Sequence, residues 1–194
     1  MNGSRPADSP AHLDPSTHER MARVRFVLTD VDGVLTTSHL LYDDRGVRQR
    51  AFSTRDGAAI QWLIRAGIPV GFLSALDDPS TRQRGLDLGV EELHLGAKDK
   101  LVTLQAILDR LVLRPEELAY FGDDLVDLPV LASVGFSACP SDAAAEVRAA
   151  CTWVFEPKGG EGFFRAAAES ILKAQNHWDA IVARYRLPGH APAE

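Results

Sequence analysis

The chain has 194 residues, of which 45% are hydrophobic and 25% charged, as is typical of one soluble globular domain. Its 27 acidic and 21 basic residues give a formal net charge of -6, and it has no block of five or more basic residues, which argues against a general binder of nucleic acids or anionic membranes. Two cysteines, no apolar run near the roughly 20 residues of a membrane-spanning helix and no apolar stretch near the start predict a cytoplasmic protein without a disulfide framework.

The two ends of the chain show no hydrophobic period. Residues 1–22 carry three prolines among serine, aspartate and histidine, and residues 187–194 carry two prolines and a glycine. We therefore predict a disordered N-terminal tail over 1–22, one folded domain over 23–186 and a flexible C-terminal tail over 187–194. Met21 offers an alternative translation start.

Strands and helices alternate within the predicted domain. A β-rich run over 24–29 ends at a turn, and the apolar segments of 40–52 flank a turn sequence, which predicts a β-hairpin. Ser53 and Asp56 resemble a capping box at the start of a helix that Gly67 ends.

The same alternation continues to the end of the domain. Further strands are predicted at 68–73, 92–95, 118–121, 134–138 and 152–155, and further helices begin at Pro79 and cover 101–111, 125–132, 163–174 and 177–185. This order predicts an α/β fold, with a Rossmann-like parallel sheet and helices on both of its faces. In such folds the active site lies at the carboxyl ends of the strands.

Chemically useful side chains follow four of the predicted strands. The first strand is followed by Asp30 and Asp32, and the strand over 68–73 by Ser74. Two later strands are followed by Lys100 and by Asp123, which opens the acidic segment DDLVD. Acids this close repel each other unless a cation lies among them, and oxygen ligands favour a hard ion, usually Mg²⁺.

A metal at this edge would attract a phosphate group, which Ser74 and Lys100 would also bind. One aspartate near the phosphorus can attack it and form an aspartyl-phosphate. A second aspartate, two residues further on, can protonate the leaving oxygen and later activate water. The pattern therefore predicts hydrolysis of a phosphate ester in two displacements.

These motifs, TDVDGVLT, a strand-end serine, KDK and GDDLVDLP, resemble the haloacid dehalogenase superfamily of phosphohydrolases. Within it the chain resembles the capless branch typified by 3-deoxy-D-manno-octulosonate 8-phosphate phosphatase, which also has the hairpin, an STRDG-type segment and a Gly-Gly-x-Gly loop. The resemblance covers about residues 24–175. It implies a Mg²⁺-dependent phosphomonoesterase for a small sugar phosphate, namely 3-deoxy-D-manno-octulosonate 8-phosphate or a related sugar-acid phosphate.

The resemblance also assigns roles to residues. Asp30 resembles the nucleophile and a Mg²⁺ ligand, and Asp32 resembles the general acid/base, whose backbone carbonyl is a second ligand. It further implies phosphate binding by Ser74 and Lys100, a metal ligand in Asp123, supporting roles for Asp124 and Asp127, and substrate contacts from Arg55, Asp56 and Gly57. No insertion is long enough to form a cap domain. Family members are usually homotetramers in which the hairpin of one subunit acts as a flap over the neighbouring site, and the same assembly is implied here.

Two segments depart from the pattern of the branch. Ser74-Ala75-Leu76 stands where the branch usually has Thr-Gly-Arg or Ser-Gly-Arg, and Glu161 stands at the arginine of Gly-Gly-Arg-Gly. Leucine cannot replace the bidentate contacts of arginine, and an acid would repel the carboxylate of a sugar acid. The sequence therefore predicts an intact hydrolytic centre with altered substrate recognition.

Several assignments keep an alternative. Asp56 equally fits a helix cap, and Asp127 equally fits a residue that orients Lys100 or a metal ligand. Lys98 is a second candidate for the phosphate-binding lysine. The glycine loop over 159–162 fits either a plain loop or an anion site before a helix.

Two other functions compete with hydrolysis. The altered segments fit a non-catalytic or regulatory subunit of a larger enzyme complex that keeps the fold. A phospho-accepting receiver also uses acids, a hydroxyl and a lysine, but it needs an acceptor aspartate after a middle strand, and the middle strand here ends in Ser74.

Overall fold

The computed structural model describes residues 15–186. In chain order the elements are α1 (Pro15–Ala22), β1 (Phe26–Thr29), β2 (Leu41–Tyr42), β3 (Arg48–Gln49), α2 (Thr54–Arg65), β4 (Val70–Ser74), α3 (Pro79–Leu88), β5 (Glu92–Leu95), α4 (Lys100–Leu111), β6 (Leu118–Phe121), α5 (Leu128–Leu131), β7 (Phe136–Cys139), α6 (Ala145–Ala150), β8 (Trp153–Val154), α7 (Phe163–Ala174) and α8 (Trp178–Arg186). Short 3₁₀ turns at Pro115–Glu117 and Leu125–Asp127 precede β6 and α5.

A six-stranded parallel sheet forms the centre of the fold, in the order β5-β4-β1-β6-β7-β8. Strand β1 lies between β4 and β6, with Val27 opposite both Val70 and Ala119. All four residues of β1 are buried, as expected of a strand that is covered on both faces. This arrangement confirms the predicted Rossmann-like α/β fold and brings the ends of β1, β4 and β6 side by side.

Two apolar clusters cover the two faces of the sheet. On one face, the rings of Phe163 and Phe164 from α7 lie edge-to-face against Phe121, with centroids 5.7 and 5.5 Å apart. On the other face, Leu104 and Leu108 of α4 belong to a separate buried cluster. Over residues 15–186, no helix combines the length and hydropathy that crossing a membrane requires.

Helix α1 lies inside the segment predicted as a disordered tail, so that prediction is wrong for residues 15–22. Met21 is fully buried, and the Gln175 side chain donates hydrogen bonds to the carbonyls of Met21 and Val24 at 3.1 and 2.7 Å. Because a single methionine anchors the helix, no hydrophobic period marks it in the sequence. The remainder of the predicted tails, 1–14 and 187–194, lies outside the described residues.

The predicted hairpin is present as the antiparallel pair β2–β3, separate from the main sheet. Its turn is organised by Asp43, whose Oδ1 accepts from the backbone N–H groups of Arg45 and Val47 at 2.9 and 2.8 Å. Only two residue pairs form the ladder, so the strands are shorter than predicted. The hairpin directs Leu41 and Tyr42 into solvent, with 57% and 62% of their surface exposed.

Candidate active site

The carboxyl ends of the central strands form one cavity. The backbone N–H of Asp30, just after β1, donates to the carbonyl of Phe121 at the end of β6 at 2.8 Å, and the N–H of Ala97 donates to the carbonyl of Ser74 at 3.0 Å. These bonds hold the segments that follow β1, β4, β5 and β6 together. The resulting cavity has a volume of about 270 Å³ and is lined by Asp30, Asp32, Ser38, Leu40, Ser74, Ala75, Leu76, Lys100, Asp123, Asp124 and Val126.

Lys100 joins two acidic motifs at the floor of this cavity. Its Nζ donates to Oδ1 of Asp30 at 2.8 Å and to Oδ1 of Asp127 at 2.7 Å. Burial disfavours the ammonium, but the charges and hydrogen bonds of both carboxylates outweigh it, so the pKa of Lys100 is raised. Lys98 is exposed and does not line the cavity, so Lys100 is the lysine that the structure places beside Asp30.

Asp127 organises the segment after β6. Its Oδ1 also accepts from the Tyr120 hydroxyl at 2.6 Å, and its Oδ2 accepts from the backbone N–H groups of Asp123 and Asp124 at 3.0 and 3.3 Å. The residue is completely buried. Because all these donors point at Asp127, it orients Lys100 and the loop carrying Asp123, as one of the two sequence alternatives proposed. In the sequence Tyr120 resembles one more apolar residue of a buried strand, so no pattern indicates its role here.

The oxygen atoms of three acids lie close enough to share a cation. One carboxylate oxygen each from Asp30, Asp123 and Asp127 lies within 4.8 Å of the others. Oδ1 of Asp123 is buried and accepts no hydrogen bond from the described residues, whereas both oxygens of Asp127 already accept two bonds each. Asp30 and Asp123 are therefore the side chains that fit a hard divalent cation such as Mg²⁺.

Gly33 allows Asp123 to approach the first motif. A Cβ on Gly33 would lie 1.9 Å from Oδ2 of Asp123, and the residue has a φ of +89°. A side chain here would therefore both collide with the acid and strain the backbone. This explains the glycine that follows the two aspartates in the first motif.

Burial and mutual repulsion act on the same carboxylates. Burial is the largest cause that raises the pKa of Asp30 to about 7, with Lys100 opposing the shift and Asp127 adding to it. Burial and the charges of Asp30 and Asp127 raise the pKa of Asp123 to about 8. A divalent cation between these groups would favour their charged forms.

Ser74 presents a hydroxyl at the end of β4. Its Oγ accepts from the backbone N–H of Leu76 at 3.1 Å, which leaves the hydroxyl hydrogen for an acceptor in the cavity. Leu76 lies on the rim of the cavity with 38% of its surface exposed. The departure at this motif thus places an apolar leucine side chain on the rim, where the family pattern has a positively charged arginine.

Asp32 contacts Arg50, a residue that no sequence pattern marks as functional. Nε and Nη2 of Arg50 donate to Oδ1 and Oδ2 of Asp32 at 2.8 and 3.1 Å. Arg50 directly follows β3, and its side chain is completely buried. In the sequence it is one of three arginines in a polar hairpin, a pattern that indicates a solvated surface.

Arg55, Asp56 and Gly57 were predicted to face the substrate, and none of them lines the cavity. Arg55 is exposed, while the Asp56 carboxylate is buried and accepts from the backbone N–H of Arg165 in the first turn of α7 at 2.8 Å. The predicted capping box at α2 is only half formed, because Ser53 accepts from the N–H of Asp56 at 3.3 Å without the reciprocal bond. The geometry therefore favours a capping role for Asp56, although the helix that it caps is α7 and not α2.

The glycine loop over 159–162 packs behind the first motif. The N–H of Gly160 donates to the carbonyl of Val34 at 2.9 Å, and a Cβ on Gly159 would lie 1.8 Å from the carbonyl oxygen of Gly33. The start of α7 is already occupied by the Asp56 carboxylate. These contacts favour the plain-loop alternative over an anion site, and Glu161 is exposed and outside the cavity lining.

Comparisons with known proteins match this arrangement. The model of a haloacid dehalogenase-like hydrolase family matches residues 92–166. The chain is 40% identical over 157 residues to the 3-deoxy-D-manno-octulosonate 8-phosphate phosphatase of Haemophilus influenzae, a match that covers 81% of this chain and 87% of that protein.

Solved structures show the same fold at high similarity. A 3-deoxy-D-manno-octulosonate 8-phosphate phosphatase from Moraxella catarrhalis, in complex with a magnesium ion, a phosphate ion and a KDO molecule, superposes with a TM-score of 0.87 at 29% identity, covering 90% of this chain and all (100%) of that chain. The cobalt-bound phosphatase from Haemophilus influenzae gives a TM-score of 0.80 at 38% identity and covers 83% of this chain and 94% of its own.

Proposed function

The chain belongs to the haloacid dehalogenase-like hydrolases of the 3-deoxy-D-manno-octulosonate 8-phosphate phosphatase family, and on that premise we propose that it hydrolyses 3-deoxy-D-manno-octulosonate 8-phosphate or a related sugar-acid phosphate. One observation carries the proposal. Asp30, Ser74, Lys100 and Asp123 come from four separate segments and line one cavity at the carboxyl edge of the sheet. That set supplies a nucleophile, two phosphate-binding groups and a metal ligand.

Mg²⁺ is the cofactor that this donor set supports. Asp30 and Asp123 would hold it through their carboxylates, and Asp32 through its backbone carbonyl. When bound, the ion neutralises phosphoryl oxygens and orients the ester for attack. The complex of the Moraxella catarrhalis phosphatase with magnesium and phosphate supports the same ion here.

The proposed reaction proceeds in two displacements on phosphorus. A carboxylate oxygen of Asp30 forms a bond to phosphorus while the bond to the sugar oxygen breaks, and Asp32 donates its proton to that leaving oxygen. Lys100 and Ser74 hold the phosphoryl oxygens during the transfer. Water then gives a proton to Asp32 and attacks phosphorus, the bond to Asp30 breaks, and inorganic phosphate leaves.

The direct test is phosphate release from a panel of esters by the purified full chain. We expect 3-deoxy-D-manno-octulosonate 8-phosphate to be hydrolysed with Mg²⁺ present, with activity abolished by chelation and restored by added Mg²⁺. Sugar phosphates without a carboxylate serve as matched controls, because they share the reacting bond but lack the acid group. Failure to hydrolyse any ester, together with a partner protein that co-purifies, would instead support a regulatory subunit.

The proposed assembly is a homotetramer in which the hairpin of one subunit covers the neighbouring site. The hairpin exposes the apolar side chains of Leu41, Tyr42 and Val47 to solvent. This supports the assembly, because contiguous exposed apolar side chains often mark a protein–protein contact. Size-exclusion chromatography with light scattering should give four times the chain mass. A Tyr42→Ser and Leu41→Ser double variant should lower that mass, and a monomeric wild-type protein would contradict the assembly.

A cytoplasmic location is proposed on the state of the cysteines. Cys139 and Cys151 are both free thiols, and Cys139 is fully buried. Unpaired thiols of this kind fit a reducing compartment, where disulfides are rare. Thiol titration of freshly lysed cells that produce the protein would test the proposal, since two reduced cysteines per chain are expected.

A further inference from the structure

We propose that Arg50 is a positioning residue for Asp32, which couples the placement of the hairpin to acid–base catalysis. The inference rests on the proposed function, because it concerns the proton transfers of that reaction. Its basis is geometric: the guanidinium approaches both oxygens of Asp32, at 2.8 and 3.1 Å, with two of its own nitrogens. A planar two-point contact of this kind fixes the rotation of a carboxylate.

Burial singles out Arg50 among the basic side chains of the hairpin. Its side chain is 0% exposed, whereas that of Arg45 is 81% exposed and that of Arg48 is 32% exposed. Burying a guanidinium is unfavourable unless carboxylates accept its hydrogen bonds. Asp32 accepts two hydrogen bonds from Arg50, and a second acid on a different segment forms an ion pair with it, so the arginine links the hairpin to the site.

The second acid is Asp78, which forms an ion pair with Nη1 of Arg50. Asp78 is itself fixed as the N-cap of α3, since its Oδ1 accepts from the backbone N–H groups of Ser80 and Thr81 at 3.0 and 3.3 Å. Arg50 therefore lies between a rigid helix start and the acid/base. The same guanidinium therefore contacts both the start of α3 and Asp32.

Apart from Arg50, the Asp32 carboxylate has one further side-chain contact among the described residues, and it comes from the same segment. The Thr36 hydroxyl approaches Oδ1 of Asp32 at 3.5 Å, at the limit of a hydrogen bond. Arg50 thus supplies the two strong contacts. To protonate the leaving oxygen, Asp32 must direct one oxygen to the ester, and Arg50 stabilises the carboxylate that remains after the proton has left.

The variants Arg50→Met and Arg50→Lys test this role with two esters. The sugar phosphate has a leaving alkoxide that needs a proton, whereas p-nitrophenyl phosphate releases a phenolate that does not. We expect Arg50→Met to slow the first turnover of the sugar phosphate about 10²-fold and that of p-nitrophenyl phosphate less than about 10-fold, because general acid catalysis contributes on the order of 10²–10⁴. Arg50→Lys should recover part of the loss, since it keeps the charge but loses the two-point contact. First turnovers are followed by quenched flow and by stopped-flow absorbance.

Arg48→Met is the matched control, because Arg48 lies on the same hairpin and pairs with Asp78 at 3.6 Å without contacting Asp32. It should leave the difference between the two esters unchanged. The inference is overturned if Arg50→Met slows both esters equally while its urea midpoint stays near that of the wild type, or if Arg48→Met reproduces its selective loss. A wild-type protein that hydrolyses neither ester removes the proposed function itself, so the two failures are distinguishable.

Discussion

The Asp30→Asn variant is expected to fold like the wild type and to lose phosphate release by at least about 10³-fold, as is usual when a nucleophile is removed. An amide has the shape of the carboxylate but cannot attack phosphorus to form the covalent intermediate. Folding should survive because the amide oxygen can still accept from Lys100, and because Asp30 is a buried carboxylate whose pKa is raised to about 7, so its charge does not favour the folded state. Phosphate release and the urea midpoint measure the two effects separately.

Asp87→Asn is the matched control for this change. Asp87 is exposed on α3 and accepts only a surface hydrogen bond from Gln83 at 2.7 Å, so its replacement should alter neither activity nor stability by more than about 0.5 kcal/mol. Acid quenching during turnover should trap labelled phosphate on the wild-type chain and none on Asp30→Asn. Unchanged activity of the Asp30→Asn variant would refute the nucleophile assignment.

The sequence was sufficient for the fold and for the residues that end strands. Buried parallel strands are continuous apolar runs, and a residue placed directly after such a run must lie at the carboxyl edge. Asp30 and Asp32 after β1, Ser74 at the end of β4 and Asp123 after β6 were all located by that rule, and the structure brings them to one cavity. Here the local pattern determines the tertiary position.

Side-chain contacts between distant parts of the chain could not be predicted from the strand pattern. Arg50 meets Asp32 across 18 residues, and the Asp56 carboxylate meets the N–H of Arg165 across 109 residues. Neither contact leaves a periodic signal, because the hairpin and the start of α2 are polar segments whose destination depends on the packing of other elements. A charged residue in such a segment looks solvated until its partner is known.

Helix α1 shows a related limit at the start of the chain. Hydrophobic periodicity detects a helix that buries a stripe of side chains, and α1 buries Met21 and Thr17 only. Further contacts are made by the backbone carbonyls of Met21, in the helix, and Val24, just after it, which both accept from Gln175, a residue about 150 positions away. A composition rich in proline and polar residues therefore gave the appearance of a tail.

Lys100→Met is expected to reduce both stability and activity. The substitution keeps the aliphatic volume but leaves Asp30 and the completely buried Asp127 without their shared cation, and breaking such a buried pair costs about 3–5 kcal/mol. Phosphate release should fall at the same time, because the lysine also faces the phosphoryl group in the proposed reaction. The urea midpoint, measured with and without Mg²⁺, tests the stability, and Mg²⁺ should restore part of it by neutralising Asp30.

The loss of stability should depend on pH with a defined sign. Burial already raises the pKa of Asp30 to about 7, well above its ordinary value of 3.8, so its charged form destabilises the folded state at higher pH. Removing Lys100 removes the main opposing effect and raises the pKa of Asp30 further, so the stability difference between variant and wild type should grow as the pH rises through about 7 and shrink below it, where Asp30 is protonated in both proteins. Lys98→Met is the matched control, because Lys98 lies exposed two residues earlier in the same segment. The double variant Lys100→Met and Asp127→Asn should regain stability but not activity; equal stability losses for the two lysine variants, or recovered activity in the double variant, would show that Lys100 does not act through these acids.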